Sequence, residues 1–201
     1  MPTPEEPAPA QPSNPALHAR VTSSITRAFF EEMAESGYGQ TSVDAIVRRA
    51  GVGKAALYRR WPTKKAMAIA LISDAAVRSE PAPDTGSLHG DISSLVHRLS
   101  AVLGDPLVGR VVLAVTAESS RDPELENVLR ESVEGPRRAN LSAMLLRAID
   151  RGELRADCDI DLALDLIAGA LYWRVLVRRQ GWDAGQLDRL SAALTKAITA
   201  I

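Results

Sequence analysis

The chain has 201 residues, a formal net charge of −1 and 46% hydrophobic residues, so it can bury a core of ordinary size as two packed domains or one elongated helical body. Its single cysteine, Cys158, excludes an internal disulfide framework and indicates a reducing compartment. That cysteine is either a small apolar residue or a redox sensor. Because no apolar run approaches the roughly 18 residues that span a bilayer, and the N-terminus lacks a basic region followed by an apolar one, we expect a cytoplasmic protein without membrane contact.

The first fourteen residues differ in composition from the rest of the chain. They hold five prolines and, apart from Met1, no large apolar residue, so they have nothing to bury and we expect disorder. From Pro15 onward, apolar residues recur at helical spacing. This spacing predicts a first helix that ends at Ser36 and Gly37.

Two short helices around a tight turn are predicted between residues 42 and 65. The first begins behind Thr41 and Ser42, either of which is a suitable N-cap, and ends at Gly51, which supplies the positive φ that a helix C-terminus favours. The second begins at Gly53 and ends before Pro62. It is expected to bury Ala56, Leu57 and Trp61 and to project Lys54, Ala55, Tyr58 and Arg59 outward.

Positive charge is concentrated on this pair of helices. Residues 42–65 carry seven Lys or Arg and one Asp, although the whole chain is slightly acidic. A solvated helical hairpin has the same spacing, but the local positive field and an exposed Tyr58 among cations favour a helix-turn-helix that contacts DNA. Upstream, His18 and Arg20 are either further contacts to the DNA backbone or solvated side chains.

The residues Tyr38-Gly-x-x-Ser42, Ala50-Gly-Val, Lys54, Leu57-Tyr58-x-x-Trp61 and Thr63-Lys64 resemble the TetR family of transcriptional regulators over roughly residues 16–72. The resemblance implies an all-α homodimer in which three N-terminal helices bind operator DNA and a larger C-terminal domain binds a small-molecule inducer. It departs from the family pattern at Gly53, where Ser or Thr is frequent, and at Ala55, where Gly is frequent. The implied DNA-binding residues are Thr41, Ser42, Lys54, Ala55, Tyr58, Arg59, Arg60, Thr63 and Lys64.

The sequence predicts three regions. A fourth helix over residues 63–78 and a turn-rich break over 79–86 divide the chain into a tail (1–14), a DNA-binding domain (15–78) and an effector-binding and dimerisation domain (79–201). The last region holds 17 Asp or Glu and 14 Lys or Arg over residues 81–201, so it does not extend the basic surface. Its apolar periodicity predicts a helix over 88–104, a buried helix over 108–116 and a long segment over 125–149 that Pro136 kinks or splits.

The final two helices are the most apolar part of this region. Residues 162–177 are apolar on nearly every face except at Asp165 and Arg174, so such a helix must be covered on more than one side. It is either the central helix of one domain or a helix shared between the domain core and a second subunit. The last helix, with Asp183 as N-cap, adds a second apolar stripe, and the pair is predicted to form a four-helix dimer interface.

A small-molecule pocket in the C-terminal region is implied by the family resemblance. Met144, Tyr172 and Trp173 are candidate apolar or aromatic walls, and His97, Glu118 and Arg137 are candidate polar contacts. Each has a structural alternative, namely core packing for the large residues and solvation or ion pairing for the polar ones.

Enzymatic function is not expected. Three histidines and one cysteine give no zinc-ligand spacing, the His89-Gly-Asp91 triplet is isolated, and no glycine-rich phosphate loop is present. We predict no catalytic residue, metal or cofactor. The prediction is an all-α, TetR-like homodimer that represses transcription until an inducer releases it from a palindromic operator. The alternatives are a ligand-independent regulator and an activator of the same fold.

Overall fold

The structure is a computed structural model that describes residues 15–77 and 81–201. These residues form ten α-helices and two π-helical turns, with no strand among them. The predicted tail, the side chain of His18 and the end of the fourth helix at Arg78 lie outside the described part of the chain.

The N-terminal helices are α1 (Pro15–Gln40), α2 (Val43–Ala50), α3 (Lys54–Tyr58) and α4 (Lys64–Val77). The helical conformation of α1 is broken at Gly37, whose φ of 77° favours glycine, so the predicted end of the first helix is confirmed. Ser42 is the N-cap of α2, and its Oγ accepts a hydrogen bond from the backbone N–H of Ala45 at 3.1 Å. Gly51 ends α2 in the left-handed conformation, as predicted.

An apolar cluster holds α1 to α4 together. Ile25, Phe29 and Met33 of α1 are fully buried, and so are Ile46, Leu57 and Met67 of the three following helices. Ala56 and Trp61, which were expected to be buried, are partly exposed, although Trp61 packs against the cluster. A five-residue helix cannot cover its own last turn, so Leu57 is its only fully buried side chain.

The C-terminal helices are α5 (Leu88–Gly104), α6 (Pro106–Ser119), α7 (Pro123–Leu129), α8 (Gly135–Asp150), α9 (Ile160–Tyr172) and α10 (Ala184–Ile198). Their core is a second apolar cluster that includes Met144, Leu145 and Ile167. Cys158 is buried at the edge of this cluster, and burial raises the pKa of its thiol, which favours the small apolar residue over the redox sensor. Among the described helices none is long and apolar enough alone to cross a membrane; α5 and α6 pass that test only as a pair bent by 85°.

One π-helical turn, Arg130–Glu134, joins α7 to α8, and the other, Trp173–Val177, follows α9. The first turn interrupts the long segment directly before Pro136, which lies in the first turn of α8. The predicted break at Pro136 is therefore confirmed in position. A proline has no N–H to donate to the preceding turn, and the chain widens into a π-helical turn there.

The prediction of a buried helix over residues 108–116 is wrong. Val115 and Gly109 are buried, but Leu113 and Thr116 are exposed, as is Leu107 just before this range. The reason is that α6 lies between the two clusters and contacts each with part of its surface. Val111, Ala114 and Val115 face the N-terminal cluster, and Val112 packs against the C-terminal one.

Helix α6 thereby connects the DNA-binding helices to the rest of the molecule. It packs along α1, and its apolar residues complete the N-terminal cluster. An ion-pair group reinforces this junction: the Lys65 ammonium of α4 lies 2.8 Å from Asp122, the N-cap of α7, and 2.6 Å from Glu124. The junction thus connects α4 to the N-terminus of α7.

Candidate nucleic-acid interface and ligand cavity

The short helix α3 presents an exposed surface. Lys54, Ala55, Tyr58 and Arg59 are all exposed, whereas Leu57 on the opposite side is fully buried. This orientation follows from helical spacing, since the buried Leu57 fixes which side chains point away from the core. Tyr58 is 47% exposed, although a large aromatic side chain is usually mostly buried in a folded domain.

Three of the seven cations in residues 42–65 are neutralised inside the molecule. Arg49 pairs with Glu32 at 2.9 Å and with Glu35 at 2.6 Å on α1, Lys54 pairs with Asp44 at 2.6 Å, and Lys65 belongs to the junction with α7. The hydrogen bond to Asp44 raises the pKa of Lys54, so this lysine stays charged. The positive face is therefore narrower than the sequence count indicates.

Two predicted DNA-binding residues, Thr41 and Arg60, make hydrogen bonds within the chain. Thr41 is only 3% exposed, and its hydroxyl donates to the carbonyl oxygen of Gly37 at 2.8 Å, so it closes the α1–α2 connection. Arg60 folds back, where its guanidinium donates to the Ala56 carbonyl at 2.8 Å and to the Thr22 hydroxyl at 3.3 Å. Thr41 is therefore too buried to reach a nucleic acid in this conformation, whereas the two hydrogen bonds of Arg60 leave its remaining N–H donors unused.

Lys64, a third predicted DNA-binding residue, also makes contacts within the chain. Its ammonium donates to the carbonyl oxygens of Tyr38 at 2.9 Å, Thr41 at 3.1 Å and Gly39 at 3.4 Å, and it lies 4.5 Å from the centre of the Tyr38 ring. An ammonium has three N–H donors, and three carbonyl oxygens at the end of α1 and in the α1–α2 connection lie within reach of them. In the structure, Lys64 therefore stabilises the α1–α2 connection. That connection in turn positions Ser42 and α2.

The hydroxyls of Ser42 and Thr63 have a different arrangement. Each is exposed at the start of a helix, and each oxygen accepts a backbone N–H, from Ala45 at 3.1 Å for Ser42 and from Ala66 at 3.0 Å for Thr63. A capping hydroxyl still has its own proton to donate. Both residues can therefore donate to a phosphate placed at the N-terminus of α2 or α4, where the helix dipole also favours an anion.

Arg48 and Arg59 are the exposed cations of this face whose guanidinium groups have no hydrogen bond or ion pair with the residues that the structure describes. Sequence reasoning identified Arg59 as a DNA contact and omitted Arg48, which lies in the last turn of α2. Arg48 and Arg49 carry the same charge, so charge alone did not indicate that only Arg49 is paired. The partners of Arg49 come from α1, an earlier part of the sequence. We call the exposed surface formed by Ser42, Arg48, Ala55, Tyr58, Arg59 and Thr63 the reading face.

A cavity of about 170 Å³ lies among α5, α8 and α9. Its apolar walls come from Leu99, Leu141, Leu164 and Ile167. Its polar lining consists of Glu134 in the first π-helical turn, Arg137 and Arg138 on α8, and Tyr172 at the end of α9. Burial, the largest influence, raises the pKa of the Tyr172 phenol, while the positive charge of Arg137 opposes that rise.

Two of the six predicted ligand-binding residues, Arg137 and Tyr172, line this cavity, and four do not. Met144 is fully buried in the C-terminal cluster, and Trp173 is 62% exposed on the other side of α9. His97 lies on the surface, with Nε2 3.1 Å from Asp188 of α10. Glu118 lies near the domain junction, where its charge adds to burial in raising the pKa of Tyr38.

The apolar walls were missed because they come from helices that are far apart in the sequence. Leu99 and Leu141 each belong to an amphipathic stripe, and a stripe predicts burial but not a cavity. The sequence feature that could have indicated the cavity is the charged cluster Glu134, Arg137 and Arg138. It lies in a segment whose apolar residues were also predicted to pack on the core. These residues place charge at the edge of an otherwise apolar site.

An exposed apolar stripe runs along α9 and the π-helical turn that follows it. Leu162, Trp173 and Val177 are 43%, 62% and 56% exposed, with exposed Gly169 between them. Beside it, α10 presents half-buried Leu190 and the small exposed residues Ala193 and Ala197. Among the described residues, helix α9 is thus covered on the side that carries Leu164, Ile167 and Leu171.

An all-helical fold with a reading face on two short N-terminal helices and a separate C-terminal core is the architecture of helix-turn-helix DNA-binding regulators. Comparison with known proteins agrees. Residues 25–71 match the model of bacterial regulatory proteins of the tetR family, and residues 82–194 match the tetracyclin repressor-like C-terminal domain. The chain belongs to the TetR family of transcriptional regulators and is a DNA-binding transcriptional regulator.

Individual relatives are similar over most of their length. The chain is 32% identical over 153 residues to the HTH-type transcriptional regulator YdeS of Bacillus subtilis (strain 168), covering 76% of this chain and 77% of YdeS. The crystal structure of the TetR family transcription regulator SCO0332 is 26% identical, with a TM-score of 0.66 and coverage of 89% and 98%. The regulator FadR from Bacillus subtilis, solved in complex with stearoyl-CoA, shares the fold at 21% identity, with a TM-score of 0.62 and coverage of 89% and 97%.

Proposed function

We propose that the protein is a homodimeric repressor that occupies a palindromic operator in the cytoplasm until a small molecule releases it. The observation that carries the DNA part of this proposal is the reading face, in which Arg59 and Tyr58 project from a helix held by buried Leu57. Arg59 is the proposed base contact, because an arginine forms two hydrogen bonds with a guanine edge. Ser42, Arg48, Tyr58 and Thr63 are the proposed contacts to phosphate and sugar, with Lys54 and Ala55 at the edge of the groove.

The reading face of one subunit is small, which supports a dimer. Five residues of α3 reach only a few base pairs, so useful specificity needs a second copy of the face one helical turn of DNA away, about 34 Å. The exposed stripe of α9 and the small residues of α10 provide a surface for that second copy. Two subunits related by a two-fold axis would pack these helices into a four-helix bundle, burying Trp173 and Val177.

The release step is supported by the cavity and by its connection to the reading face. The cavity borders α8, which continues through a π-helical turn into α7, and the N-cap of α7 is Asp122, the partner of Lys65 on α4. A ligand that moves α8 therefore acts on α4 through this continuous chain of elements. By thermodynamic linkage, an inducer that weakens operator binding must itself bind more weakly to the operator complex, by the same factor.

Two other functions fit the same fold. A ligand-independent regulator would leave the cavity without a role, and the unpaired Arg137 at the cavity favours an inducible protein over that alternative. An activator would use the same reading face and cavity, and the two signs of regulation differ only in where the operator lies relative to the promoter. We retain the repressor because a repressor only has to occupy its operator until a ligand releases it. This action requires no further contact surface.

Selection of DNA from a random duplex library with the full-length protein tests this proposal. We expect the selected sequences to share an inverted repeat, and reporter transcription from a promoter overlapping it to fall when the protein is expressed. Selected sequences with no inverted repeat would contradict the dimeric reading. Transcription that rises on expression would replace the repressor by the activator. A broad screen of metabolites in which no compound weakens operator binding would favour the ligand-independent regulator.

A further inference from the structure

The size of the cavity limits what it can hold. A volume of about 170 Å³ is close to that of an engineered apolar cavity of roughly 150 Å³ that holds a benzene molecule. It is smaller than the roughly 300 Å³ at the lower end of sites for drug-sized ligands. The cavity as it stands therefore accommodates one ring or a short branched chain, against walls formed by Leu99, Leu141, Leu164 and Ile167.

Two arginines line the cavity, and only one of them has ion-pair partners among the described residues. Arg138 is held by Asp161 at 2.8 Å, by Asp165 at 3.1 Å and by Glu134 at 3.8 Å, so carboxylates already occupy its guanidinium. Arg137 also lines the cavity, but its guanidinium has no ion pair or hydrogen bond within residues 15–77 and 81–201. Its N–H donors are therefore available to a ligand acceptor in the cavity.

Tyr172 supplies a second donor to the same cavity. Its ring forms part of the wall, and burial raises the pKa of its phenol, so the hydroxyl keeps its proton at neutral pH. The positive charge of Arg137 acts on this phenol, which places the two groups within electrostatic reach of each other. An arginine and a protonated tyrosine are both donors and together favour an anionic acceptor.

We infer that the cavity takes a compact monocarboxylate, such as a single-ring acid or a short branched-chain acid. Its carboxylate accepts from the Arg137 guanidinium and the Tyr172 hydroxyl, and its apolar body lies against Leu141 and Ile167. This inference rests on the proposed effector role of the cavity and specifies the chemical class of the effector. Glu134 lines the exposed edge of the cavity, so a second negative charge on the ligand would meet a like charge there.

The experiment uses three probes of nearly equal size that differ in charge. Fluorine NMR titrations of the full-length protein would compare 4-fluorobenzoate, 4-fluorobenzyl alcohol and 4-fluorobenzylamine at millimolar concentration. We expect 4-fluorobenzoate to bind at least about tenfold more tightly than the alcohol, because a charge-assisted hydrogen bond is stronger than a neutral one, and the amine to bind most weakly. Equal binding of the acid and the alcohol, or no binding by any of the three probes, would overturn the inference.

Three variants locate the contact. Arg137→Gln should weaken 4-fluorobenzoate binding at least about tenfold while changing the alcohol by less than about twofold, since only the acid uses the charge. Tyr172→Phe, which preserves the ring, should weaken the acid by a smaller factor. Arg110→Gln makes the same change of charge on the exposed part of α6, outside the cavity lining, and should change neither probe. Unaltered acid binding in both cavity variants would place the carboxylate elsewhere and contradict the inference.

The operator assay separates this inference from the proposed function. If 4-fluorobenzoate binds through Arg137 but does not alter operator binding, the carboxylate site stands and the effector role of the cavity is contradicted. If only neutral or cationic compounds release the operator, the inducible repressor stands and the carboxylate is contradicted.

Discussion

At the scale of single residues, Lys64 shows how a motif position can acquire a task that its sequence context does not indicate. A lysine at the start of a helix, beside a basic segment, was expected to contact phosphate. In the folded chain its ammonium is within reach of three carbonyl oxygens of the α1–α2 connection and lies over the Tyr38 ring. The acceptors are 23 to 26 residues away in sequence, so only the tertiary fold brings them to Lys64.

We therefore expect Lys64→Met to lower the free energy of unfolding by about 1.5 to 3 kcal/mol, the range for hydrogen bonds to a charged group. The loss of the ammonium leaves the carbonyls of Tyr38 and Thr41 without this donor. Urea unfolding at one fixed protein concentration measures the effect. Lys54→Met is the matched control, because Lys54 is exposed and pairs only with exposed Asp44. Equal midpoints for wild type and Lys64→Met would contradict the positioning role.

Arg59 and Arg48 should differ in their effect on DNA binding. If Arg59 contacts a guanine edge, Arg59→Ala should cost about 1 to 3 kcal/mol on the operator, with a smaller loss on a scrambled duplex. Arg48→Ala, which removes a phosphate contact in the proposal, should weaken both duplexes alike. Fluorescence anisotropy at one salt concentration compares them. Equal losses on the two duplexes for Arg59→Ala would remove Arg59 from the set of base-reading residues.

At the scale of helices, the boundaries that depend on local chemistry were predictable and the widened turns were not. Ser42 and Asp183 each cap a helix as expected, because a short polar side chain can accept a nearby backbone N–H without help from the rest of the fold. The π-helical turn before Pro136 depends on how α7 and α8 pack on their neighbours. Periodicity placed a break there but gave no indication of its geometry.

Exposure within the last two helices also depended on tertiary packing. Because residues 162–177 are apolar on nearly all faces, the sequence did not indicate which side of this helix packs against the core. The structure assigns Leu171 to the core, where it is fully buried, and leaves Trp173 on the exposed stripe. The aromatic pair Tyr172 and Trp173 is thus divided between the cavity and the proposed dimer interface.

We expect Trp173→Asp to dissociate the dimer, since it would place a carboxylate in the centre of an apolar helix pair where water is excluded. Sedimentation velocity at micromolar concentration measures the change of mass. Val102→Asp is the control, because Val102 is 48% exposed on α5, outside the α9 and α10 stripe. Dissociation by Val102→Asp with an intact Trp173→Asp dimer would place the interface elsewhere.

At the scale of the whole molecule, the two halves are joined by packing and by charge. The N-terminal cluster is completed by Val111, Ala114 and Val115 of α6, so the predicted division at residue 78 does not coincide with a division of the core. The junction itself could not be predicted from the sequence, because the partners of Lys65 lie 57 and 59 positions away, in a segment with no distinctive pattern.

The junction ion pair should give stability a defined pH dependence. Hydrogen bonding to Lys65 lowers the pKa of Asp122, so this contribution is present above the ordinary Asp pKa of about 3.9 and is lost as the pH falls through the lowered value. The hydrogen bond to Asp122 raises the pKa of Lys65, so the contribution persists below about pH 10.4 and is lost as the pH rises through the raised value. The melting temperatures of wild type and Lys65→Gln should therefore differ between about pH 5 and 9 and converge near pH 2.

Thermal unfolding followed by circular dichroism across this pH range provides the measurement. Lys196→Gln removes an exposed lysine of α10 and should follow the wild type at every pH, apart from a small constant offset. A difference between wild type and Lys65→Gln that is the same at pH 2 and pH 7 would show that the carboxylate partners do not stabilise the junction.

The spacing of the two operator half-sites tests the central proposal, a dimer whose two reading faces enter successive major grooves on one side of the DNA. Inserting about five base pairs at the centre of the selected operator rotates one half-site by about half a helical turn. We expect affinity for this duplex to fall at least about a hundredfold, to the level of a single half-site, because the rigid pair of α9 and α10 helices cannot follow the rotation. Affinity that is unchanged by the insertion would contradict a dimer that reads both half-sites at once.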